Sequence, residues 1–502
     1  MEFTEDQSNA FEEIKDIDSW DIFILTGQAG SGKTQLLYEI QEHFQKNKWK
    51  IYPGSFTGRA AAVLRRRGLE NARTIAYYFY GRPTIYQEFK KLWKLVRLKF
   101  TREIEDKEVW LIDESSMLYE RYISQLIEHI YNPDEQKLGF IGKKLQELYE
   151  SNEYEITQKK KIIFCGDEDQ LPPVYGVAKP ALKEETFTKL GFKTKSFKLT
   201  SNLRHKNSSD IQNVARMLDK YPNQRGIDEI LSQGFSDENV EILESNSIDL
   251  IAQRFLELFE QNPLQIKYIS YKNQFVHEFN LFIRTLLFET GPRTLLCEGE
   301  LIHVMKNNYF YDLWNGDYLV IEKIEKTFDG PDLDVLCYVE NEKGNKVQKK
   351  DNEGNKVLQP LKLSFTRVKA RHTETNREYT FFIVDETLNN TDGDNWIYRS
   401  RDNLYQELTE YLQKFFFYRN PELVGQPYAD WKEERETDSY NNAIFANYSY
   451  GITGYKSQGG EWDYIMVDLN TGMRTVPKGY FYTSVTRATK KIIIIPPREE
   501  SF

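Results

Sequence analysis

Short apolar runs alternate with amphipathic, helix-like segments along the first 200 residues of the chain. Compact apolar runs bounded by polar turns are typical of buried strands, and the segments between them carry apolar residues every three or four positions, as helices do. This alternation predicts a parallel sheet whose strands are joined by right-handed crossovers. The predicted strands are DIFIL, KIYPGSF, EVWLIDE, KKIIFCGDE and KSFKL.

A second set of strand and helix patterns begins near residue 201, with QIKYIS as a strand and NQFVHEFNLFIRTLLF as a helix. The pattern changes after NGD at 315–317, where strand-rich segments such as DYLVIEKIE, LDVLCYVE and REYTFFIV are separated by polar turns. Such spacing predicts a small antiparallel barrel. Two helical stretches follow, and then WDYIMVDL and KKIIIIP return to the α/β pattern.

We therefore predict an α/β fold with two parallel-sheet domains that both carry insertions. The first domain is predicted at 1–200, with a small basic insertion at 76–107, and the second at 201–317 plus 446–502. Within the second domain we predict an inserted β-barrel at 318–384 and an inserted helical projection at 385–445.

The composition supports a folded protein without a membrane segment. Of the 502 residues, 40% are hydrophobic, yet no 18 apolar residues follow one another and the N-terminus lacks the pattern of a signal peptide. We expect a soluble, cytoplasmic chain. The three cysteines are widely spaced and form no CxxC pair, so neither a disulfide framework nor a zinc site is predicted.

Charge is distributed unevenly along the chain. The net charge is −10, but residues 58–102 hold twelve Lys or Arg against two Glu, a local balance of +10. Such segregation would let one face attract a polyanion while the whole protein stays acidic. The alternative is an ordinary solvated surface around a helix.

A phosphate-binding loop follows the first predicted strand. The sequence TGQAGSGKT satisfies G-x-x-x-x-G-K-[ST] through Gly27, Gly30, Lys33 and Thr34. Backbone N–H groups of the loop, which includes Ser31 and Gly32, would surround the phosphates of ATP, while the lysine ammonium contacts the β and γ oxygens. The hydroxyl of Thr34 would bind Mg²⁺.

Carboxylates that would complete the metal shell follow another apolar strand, in VWLIDESSM. Asp113 would hold Mg²⁺ through water and Glu114 would polarise the attacking water. The alternative is an acidic helix N-terminus stabilised by the helix dipole. In FCGDEDQLPPV, Gln170 could reach the γ-phosphate and register its loss.

Gln7 has two interpretations. Thr4 and Gln7 have the spacing of a capping box, in which Gln7 bonds back to the start of the helix. Alternatively, its amide would read an adenine edge.

Together these motifs resemble those of superfamily 1 helicases. The P-loop, DESSM, GDEDQLPPV, TGYKSQGGEWD and YTSVTRAT occur in the family's order and span nearly the whole chain. Within the superfamily the sequence is most similar to the RecD-like branch and its Dda-like members, through FTEDQSNAF, SFTGRAAAVL, YISYKNQFVHEFN and the long insertion before TGYKSQG.

The resemblance implies two RecA-like domains that hold ATP in the cleft between them and bind single-stranded DNA across both, moving 5′ to 3′. It implies that Gln7 and Glu461 contact the nucleotide. It also implies that Arg204 and Arg487 reach the γ-phosphate from the second domain as arginine fingers, which neutralise charge that develops on the transferred phosphoryl group.

The resemblance further implies a DNA path and a strand-separating pin. The residues matching the DNA path are Thr57, Gly58, Arg59, Thr453, Lys456 and Ser457. In the basic insertion, the pin candidates are Tyr86, Phe89, Trp93 and Phe100. Phe89 and Trp93 also have helical spacing, which favours ordinary packing. Two positions depart from the family, because Tyr455 and Ala76 stand where histidines are usual.

The expected partners are single-stranded DNA and junctions of single strand with duplex, bound by a monomer without a membrane contact. The helical projection would offer a surface for protein partners. Two other functions stay open, namely an ATP-dependent regulatory switch that unwinds nothing and a helicase that acts on RNA.

Overall fold

The structure, a computed structural model, describes most of the chain. The described residues are 3–80, 107–131, 160–173, 179–201, 208–235, 238–289, 295–340, 346–388, 401–471 and 476–497. They divide into two compact units, one formed by the described residues up to 276 together with 451–497, the other by those in 277–450. The domain ranges given above stay a prediction.

The N-terminal part of the first unit is built on a parallel sheet of six strands in the order β3-β2-β4-β5-β1-β6. Its strands are β1 (Ile22–Gly27), β2 (Lys50–Ser55), β3 (Arg73–Thr74), β4 (Glu108–Asp113), β5 (Lys160–Gly166) and β6 (Thr194–Leu199). Its α-helices are α1 (Glu5–Lys15), α2 (Lys33–Lys46), α3 (Gly58–Arg66), α4 (Ile75–Tyr80), α5 (Glu120–Tyr131) and α6 (Glu184–Thr188). We call this part the first lobe.

Both faces of the central strands β1, β4 and β5 are buried, which explains why these strands are largely apolar without alternation. On β1, Phe23 and Leu25 pack with residues of α1 and α2 on one face. Ile22 and Ile24 lie on the other face and pack with residues of α5. The predicted strands of the first 200 residues are all present as strands.

The remaining elements follow from residue 208. In chain order they are α7 (Ser208–Lys220), α8 (Gln224–Gln233), β7 (Val240–Ile242), α9 (Ile248–Gln261), β8 (Ile266–Ser270), α10 (Asn273–Phe288), β9 (Leu301–Val304), β10 (Tyr318–Asp329), β11 (Leu333–Leu336), β12 (Tyr338–Glu340), β13 (Lys346–Gln348), β14 (Leu358–Leu361), β15 (Ser364–His372), β16 (Glu378–Val384), α11 (Arg401–Arg419), α12 (Tyr428–Thr437), β17 (Ala446–Tyr448), β18 (Gly451–Thr453), β19 (Trp462–Asp468), α13 (Tyr480–Val485) and β20 (Ala488–Ile495).

A second parallel sheet, in the order β18-β8-β19-β20-β7, also belongs to the first unit. With α7, α8, α9 and α13 it forms what we call the second lobe. Strands from before and after the β-rich segment pair side by side, as with β8 and β19. The predicted fold class, two RecA-like α/β domains with a long insertion in the second, is confirmed.

The second unit is organised around an antiparallel sheet in the order β16-β15-β10-β9-β17. Two short antiparallel ladders, β11 with β14 and β12 with β13, accompany it. Its core includes Leu319, Val368 and Phe381, and a neighbouring cluster joins α11 through Phe415. Within the described ranges, no helix combines the length and the apolar composition needed to span a membrane.

A buried ion pair links α10 to β9 inside the second unit. The guanidinium of Arg284 donates to both carboxylate oxygens of Glu300, at 2.9 Å for the Nη2 bond, and its centre lies 3.9 Å from the ring centroid of Tyr448. Since an unpaired buried charge costs several kcal/mol, these two side chains require each other.

In the first lobe, one carboxylate ties the N-terminal helix to the end of the sheet. Asp6, in the first turn of α1, accepts hydrogen bonds from the backbone N–H and hydroxyl of both Thr200 and Ser201, at 2.5 to 2.8 Å. These bonds, the Ser201 hydroxyl first, hold the pKa of Asp6 well below its usual range. The segment that leaves β6 is thereby fixed to α1.

We predict that Asp6→Asn lowers the free energy of unfolding at pH 7 by about 1–2 kcal/mol, because charge-assisted bonds are lost from a partly solvated site. The pKa of Asp6 is lower in the folded chain than in the unfolded one. Its contribution is therefore complete above its ordinary pKa of about 4 and is lost as the pH falls below that value. Thermal melting of both proteins from pH 3 to 8 measures the difference.

Glu13→Gln, on an exposed position of the same helix, is the matched control and should leave the melting temperature unchanged. An Asp6→Asn protein as stable as the wild type at pH 7 would contradict this account of Asp6.

Candidate active site

Three motif segments are brought to one edge of the first-lobe sheet. Strands β1, β5 and β4 are adjacent and parallel, with Thr26 paired to Gly166 and Ile112 paired to Phe164. Because the carboxyl ends of parallel strands lie at the same edge, the loops that follow them converge there. The glycine-rich loop, the Asp113 segment and the Gln170 segment are these loops.

The glycine-rich loop has the backbone geometry of a phosphate cradle. Gly30 and Gly32 adopt φ angles of 87° and 78°, the left-handed region that favours glycine. A Cβ on Gly27 would lie 2.5 Å from the Ser31 hydroxyl oxygen, so the loop has no room for a side chain there. The loop ends at the N-terminus of α2, where free N–H groups and the helix dipole favour an anion.

Two side chains of this loop fit a nucleotide phosphate. The ammonium of Lys33 donates to the carbonyls of Gly27 and Gln28 at 2.6 and 2.9 Å, which holds it over the loop. The hydroxyl of Ser31 is buried and has no hydrogen-bond partner within the described structure. A phosphate oxygen would supply that partner, and Thr34 follows Lys33 in the first turn of α2.

The two adjacent acids occupy a partly buried turn after β4. Asp113 accepts a hydrogen bond from the backbone N–H of Glu114 at 2.9 Å, and Glu114 has a left-handed φ of 54°. Burial raises the pKa of Asp113. Burial, and then the charge of Asp113, raise the pKa of Glu114 to about 7, while the charges of Arg487 and Lys33 oppose that rise. A cation is therefore favoured at this turn.

Gln170 lies in the loop after β5 with its side chain partly engaged. Its Nε2 donates to the Asp167 carboxylate at 3.3 Å, and Asp167 also accepts from the backbone N–H of Asp169 at 3.0 Å. The Oε1 atom of Gln170 is buried and has no hydrogen-bond partner within the described structure. The amide is thus oriented but not fully satisfied.

Arg487 comes from the second lobe and is buried just after α13. Its Nε donates to the carbonyl of Thr483 at 2.9 Å and its Nη2 to the hydroxyl of Thr486 at 3.2 Å. Burial lowers its pKa, and the charges of Glu114 and Asp167 oppose that shift. The structure thus brings Arg487 close to the acids of the first lobe. Arg204 lies outside the described residues.

Gln7 makes the capping-box bonds and one further contact. Its Oε1 accepts from the backbone N–H of Thr4 at 3.0 Å, and its own N–H donates to the Thr4 hydroxyl at 3.3 Å. Its Nε2 donates to the carbonyl of Gly32 at 3.3 Å, which joins α1 to the P-loop. The adenine contact stays a prediction, as does the nucleotide contact of Glu461, an exposed residue directly before β19.

The residues predicted for the DNA path lie at strand ends and helix starts. The hydroxyl of Thr57 accepts from the N–H of Ala60 at 3.1 Å and caps α3, which begins with Gly58 and Arg59. The guanidinium of Arg59 lies 5.8 Å from the ring centroid of Trp462, so it contacts the second lobe.

On the second lobe, Thr453 ends β18, and its carbonyl accepts from the backbone N–H groups of Lys456 and Ser457 at 2.9 and 3.1 Å. Ser457 is buried and its hydroxyl donates to the carbonyl of Gly454 at 2.7 Å, which stabilises this turn. Tyr455 is half-buried in the same turn, where burial raises the pKa of its hydroxyl. Ala76 lies in α4.

The pin candidates Tyr86, Phe89, Trp93 and Phe100 lie outside the described residues, as do most of the 76–107 insertion and residues 132–159. Sequence reasoning missed several residues that contact the site. Asp167 and Tyr482 lie inside the motifs GDEDQLPPV and YTSVTRAT. Their place near the site was therefore predictable from the sequence, but their contacts were not. Gln212 lies on α7, where only its contact with the P-loop in three dimensions identifies it.

Comparisons with known proteins find similar sequence segments and a similar fold. Residues 2–148 match the family model described as an AAA domain, and residues 448–495 match that of a UvrD-like helicase C-terminal domain. The structure is similar to a Pif1 helicase from Candida albicans, with a TM-score of 0.50 and 15% identity over 99% of this chain and 94% of that chain. A Pif1 from Bacteroides bound to single-stranded DNA gives a TM-score of 0.45 and 15% identity, covering 98% and 92%.

A curated relative is the uncharacterized protein R530 of Acanthamoeba polyphaga mimivirus, which is 22% identical over 515 residues and 94% of both chains. The likeness to the Candida albicans structure shows the fold. The two family-model matches cover the segments that carry the P-loop and Arg487.

We predict that Gln7→Glu separates the two roles of Gln7. A glutamate can still accept the Thr4 N–H bond, so the melting temperature should stay within about 2 °C of the wild type, but it cannot donate an amide N–H to adenine. The affinity for ATP relative to GTP should fall about tenfold, the value of one or two lost hydrogen bonds. Fluorescent-nucleotide titration measures the ratio.

The ratio is the appropriate quantity because charge repulsion from the new carboxylate acts on both nucleotides alike. An unchanged ratio would leave Gln7 with its helix cap and its P-loop contact alone.

Proposed function

We propose that this chain is an ATP-dependent DNA helicase that moves 5′ to 3′ along single-stranded DNA, a cytoplasmic member of the RecD-like branch with Dda-like organisation. The observation that carries the proposal is the position of Arg487. A buried guanidinium from the second lobe lies where the charges of Glu114 and Asp167 of the first lobe act on it, and the P-loop lysine also acts on Glu114. Both lobes would then contribute to one nucleotide site.

The proposed chemistry follows from the side chains of that site. Bound ATP would supply the phosphoryl group, and Mg²⁺ would neutralise part of its negative charge. Gly27, Gly30, Ser31 and Gly32 would bind the phosphates through backbone N–H groups, with Lys33 contacting the outer oxygens. Thr34 and Asp113 would orient the metal. Glu114 would take the proton of the attacking water, for which a pKa of about 7 is suitable.

Arg487 is proposed to act only when the lobes are together, because its guanidinium is held by Thr483 and Thr486 and cannot extend on its own. Arg204 is proposed as a second finger. Hydrolysis would convert ATP to ADP and phosphate, and release of the phosphate would remove an anion that both lobes bind, so that the lobes could separate. Gln170, with one amide atom unsatisfied, is suited to report that loss.

The strand is proposed to cross both lobes. The contacts would come from Thr57, Gly58 and Arg59 on the first lobe and from Thr453 and Lys456 on the second, with Ser457 stabilising the turn that holds them. Hydroxyls, amides and cations at strand ends bind phosphates without reading bases, which suits movement along any sequence. As the lobes alternately close and open, each lobe in turn would release the strand and bind it again further along. The pin in the basic insertion would separate the strands at a junction.

ATP hydrolysis should be stimulated by an oligodeoxynucleotide, and a duplex with a 5′ single-stranded tail should be unwound faster than one with a 3′ tail. Phosphate release and a fluorescence-quenched duplex measure the two activities. Without stimulation by either DNA or RNA, a regulatory ATPase switch would replace the helicase. Stimulation by RNA alone would identify RNA as the strand along which the protein moves. Unwinding only of duplexes with a 3′ tail would exclude the RecD-like branch.

Lys33→Ala should lower hydrolysis and unwinding by at least about 100-fold, since a charged contact with the phosphates is lost. Arg487→Ala should lower the rate of hydrolysis similarly while the affinity for ATP changes less than about threefold, because its contact forms mainly in the transition state. Lys432→Ala, in the second unit on α12, is the matched control and should retain wild-type hydrolysis. Full activity of Arg487→Ala would remove the arginine from the mechanism.

A further inference from the structure

The helix that precedes Arg487 is attached to the first lobe by side chains that no motif role assigns. Tyr482 on α13 donates its hydroxyl hydrogen to the Asp167 carboxylate at 3.3 Å. Burial raises the pKa of that hydroxyl, while the backbone N–H of Ala29 in the P-loop opposes the rise. One hydroxyl therefore faces both the P-loop and the loop that carries Gln170.

Two neighbouring contacts reinforce this attachment. The hydroxyl of Thr483 accepts from the backbone N–H of Leu171 at 2.8 Å. From α7 of the second lobe, the amide of Gln212 donates to the carbonyl of Ala29 at 3.2 Å. All three contacts join second-lobe side chains to first-lobe segments that directly follow the catalytic strands β1 and β5.

The approach of the two lobes at this point is also close at the backbone level. Gly479, with a left-handed φ of 86°, precedes α13, and a Cβ there would lie 2.7 Å from the carbonyl oxygens of Asp169 and Gln170. The carboxylate of Asp219 accepts from the N–H of Gly479 at 2.8 and 2.9 Å. The start of α13 is thus fixed within its own lobe while it touches the other.

Helix α13 is also bonded to Arg487. Arg487 donates through Nε to the carbonyl of Thr483, the residue that also binds Leu171. A displacement of the loop after β5 would therefore move Thr483 and, with it, the guanidinium. Because Arg487 follows α13 by two residues and bonds back to Thr483, a contact at Tyr482 helps to fix the position of Arg487 as well.

We propose that Tyr482 is a positioning residue, whose hydroxyl couples the P-loop and the Asp167 loop to the helix that places Arg487. The inference rests on the proposed ATPase function and deepens it. Gln170 and Tyr482 both donate to the Asp167 carboxylate. A movement of the Gln170 side chain would therefore be transmitted to α13 through Asp167. Tyr482 contacts no reacting atom and acts through Arg487.

The test is Tyr482→Phe, which keeps the ring and removes the hydroxyl. We expect kcat for DNA-stimulated ATP hydrolysis to fall about tenfold, the effect of losing a hydrogen bond to a charged group. The KM for ATP and the affinity for fluorescent ADP should change less than about twofold, because the P-loop itself is intact. The change in single-stranded DNA affinity on binding an ATP analogue should shrink in parallel, since closure is weakened.

Two variants make the result specific. Thr483→Val keeps the side-chain shape, removes the acceptor for Leu171 and should reproduce the loss of kcat. Tyr38→Phe, on α2 with its ring against Gly68, should behave as the wild type. Melting temperatures of all the proteins are compared, because a packing role for Tyr482 would lower stability together with kcat.

The outcomes separate the inference from the proposed function. A wild type that DNA stimulates, with Tyr482→Phe equal to it in kcat and in DNA coupling, overturns the positioning role and leaves the helicase intact. A fall in kcat that follows a drop in melting temperature of more than about 5 °C assigns Tyr482 to packing and also overturns the role. A wild type without ATPase activity overturns both.

Discussion

The arrangement of the site depends on a buried arginine that requires anions from the other lobe. Arg487 is almost fully buried, and burial of a guanidinium costs several kcal/mol unless negative groups face it. Glu114 and Asp167 supply that charge, and burial together with the charge of Asp113 raises the pKa of Glu114. The contact between the lobes therefore places opposite charges beside each other in a buried setting.

Two polar side chains of α1 stabilise the fold and also lie near the site. Gln7 caps α1 with its carbonyl oxygen and bonds to the P-loop with its nitrogen, so the N-terminal helix and the loop cannot move independently. Asp6, the preceding residue, fixes the segment after β6 to the same helix. Helix α1 thus contacts the loop after β1 through Gln7 and the segment after β6 through Asp6.

The β-rich segment is attached to its flanks by strands. β9 and β17, which lie on either side of 318–445 in the sequence, pair with each other and extend the antiparallel sheet through β10. Backbone hydrogen bonds along β9 and β17 thus hold this segment together within the second unit. Within the second unit, the Arg284–Glu300 pair adds a buried contact directly before β9.

The sequence by itself determined the elements and the nucleotide loop, because both depend on local information. Short apolar runs bounded by polar turns predict strands, and Gly30 and Gly32 allow backbone angles that other residues resist. Thr4 and Gln7 lie three residues apart, so their cap was also predictable. Only the tertiary structure decided that Gln7 also bonds to Gly32, that β9 and β17 join the antiparallel sheet, and that Tyr482 and Gln212 contact the P-loop. These pairings join residues up to several hundred positions apart, and no local pattern specifies which polar groups meet when two lobes pack together.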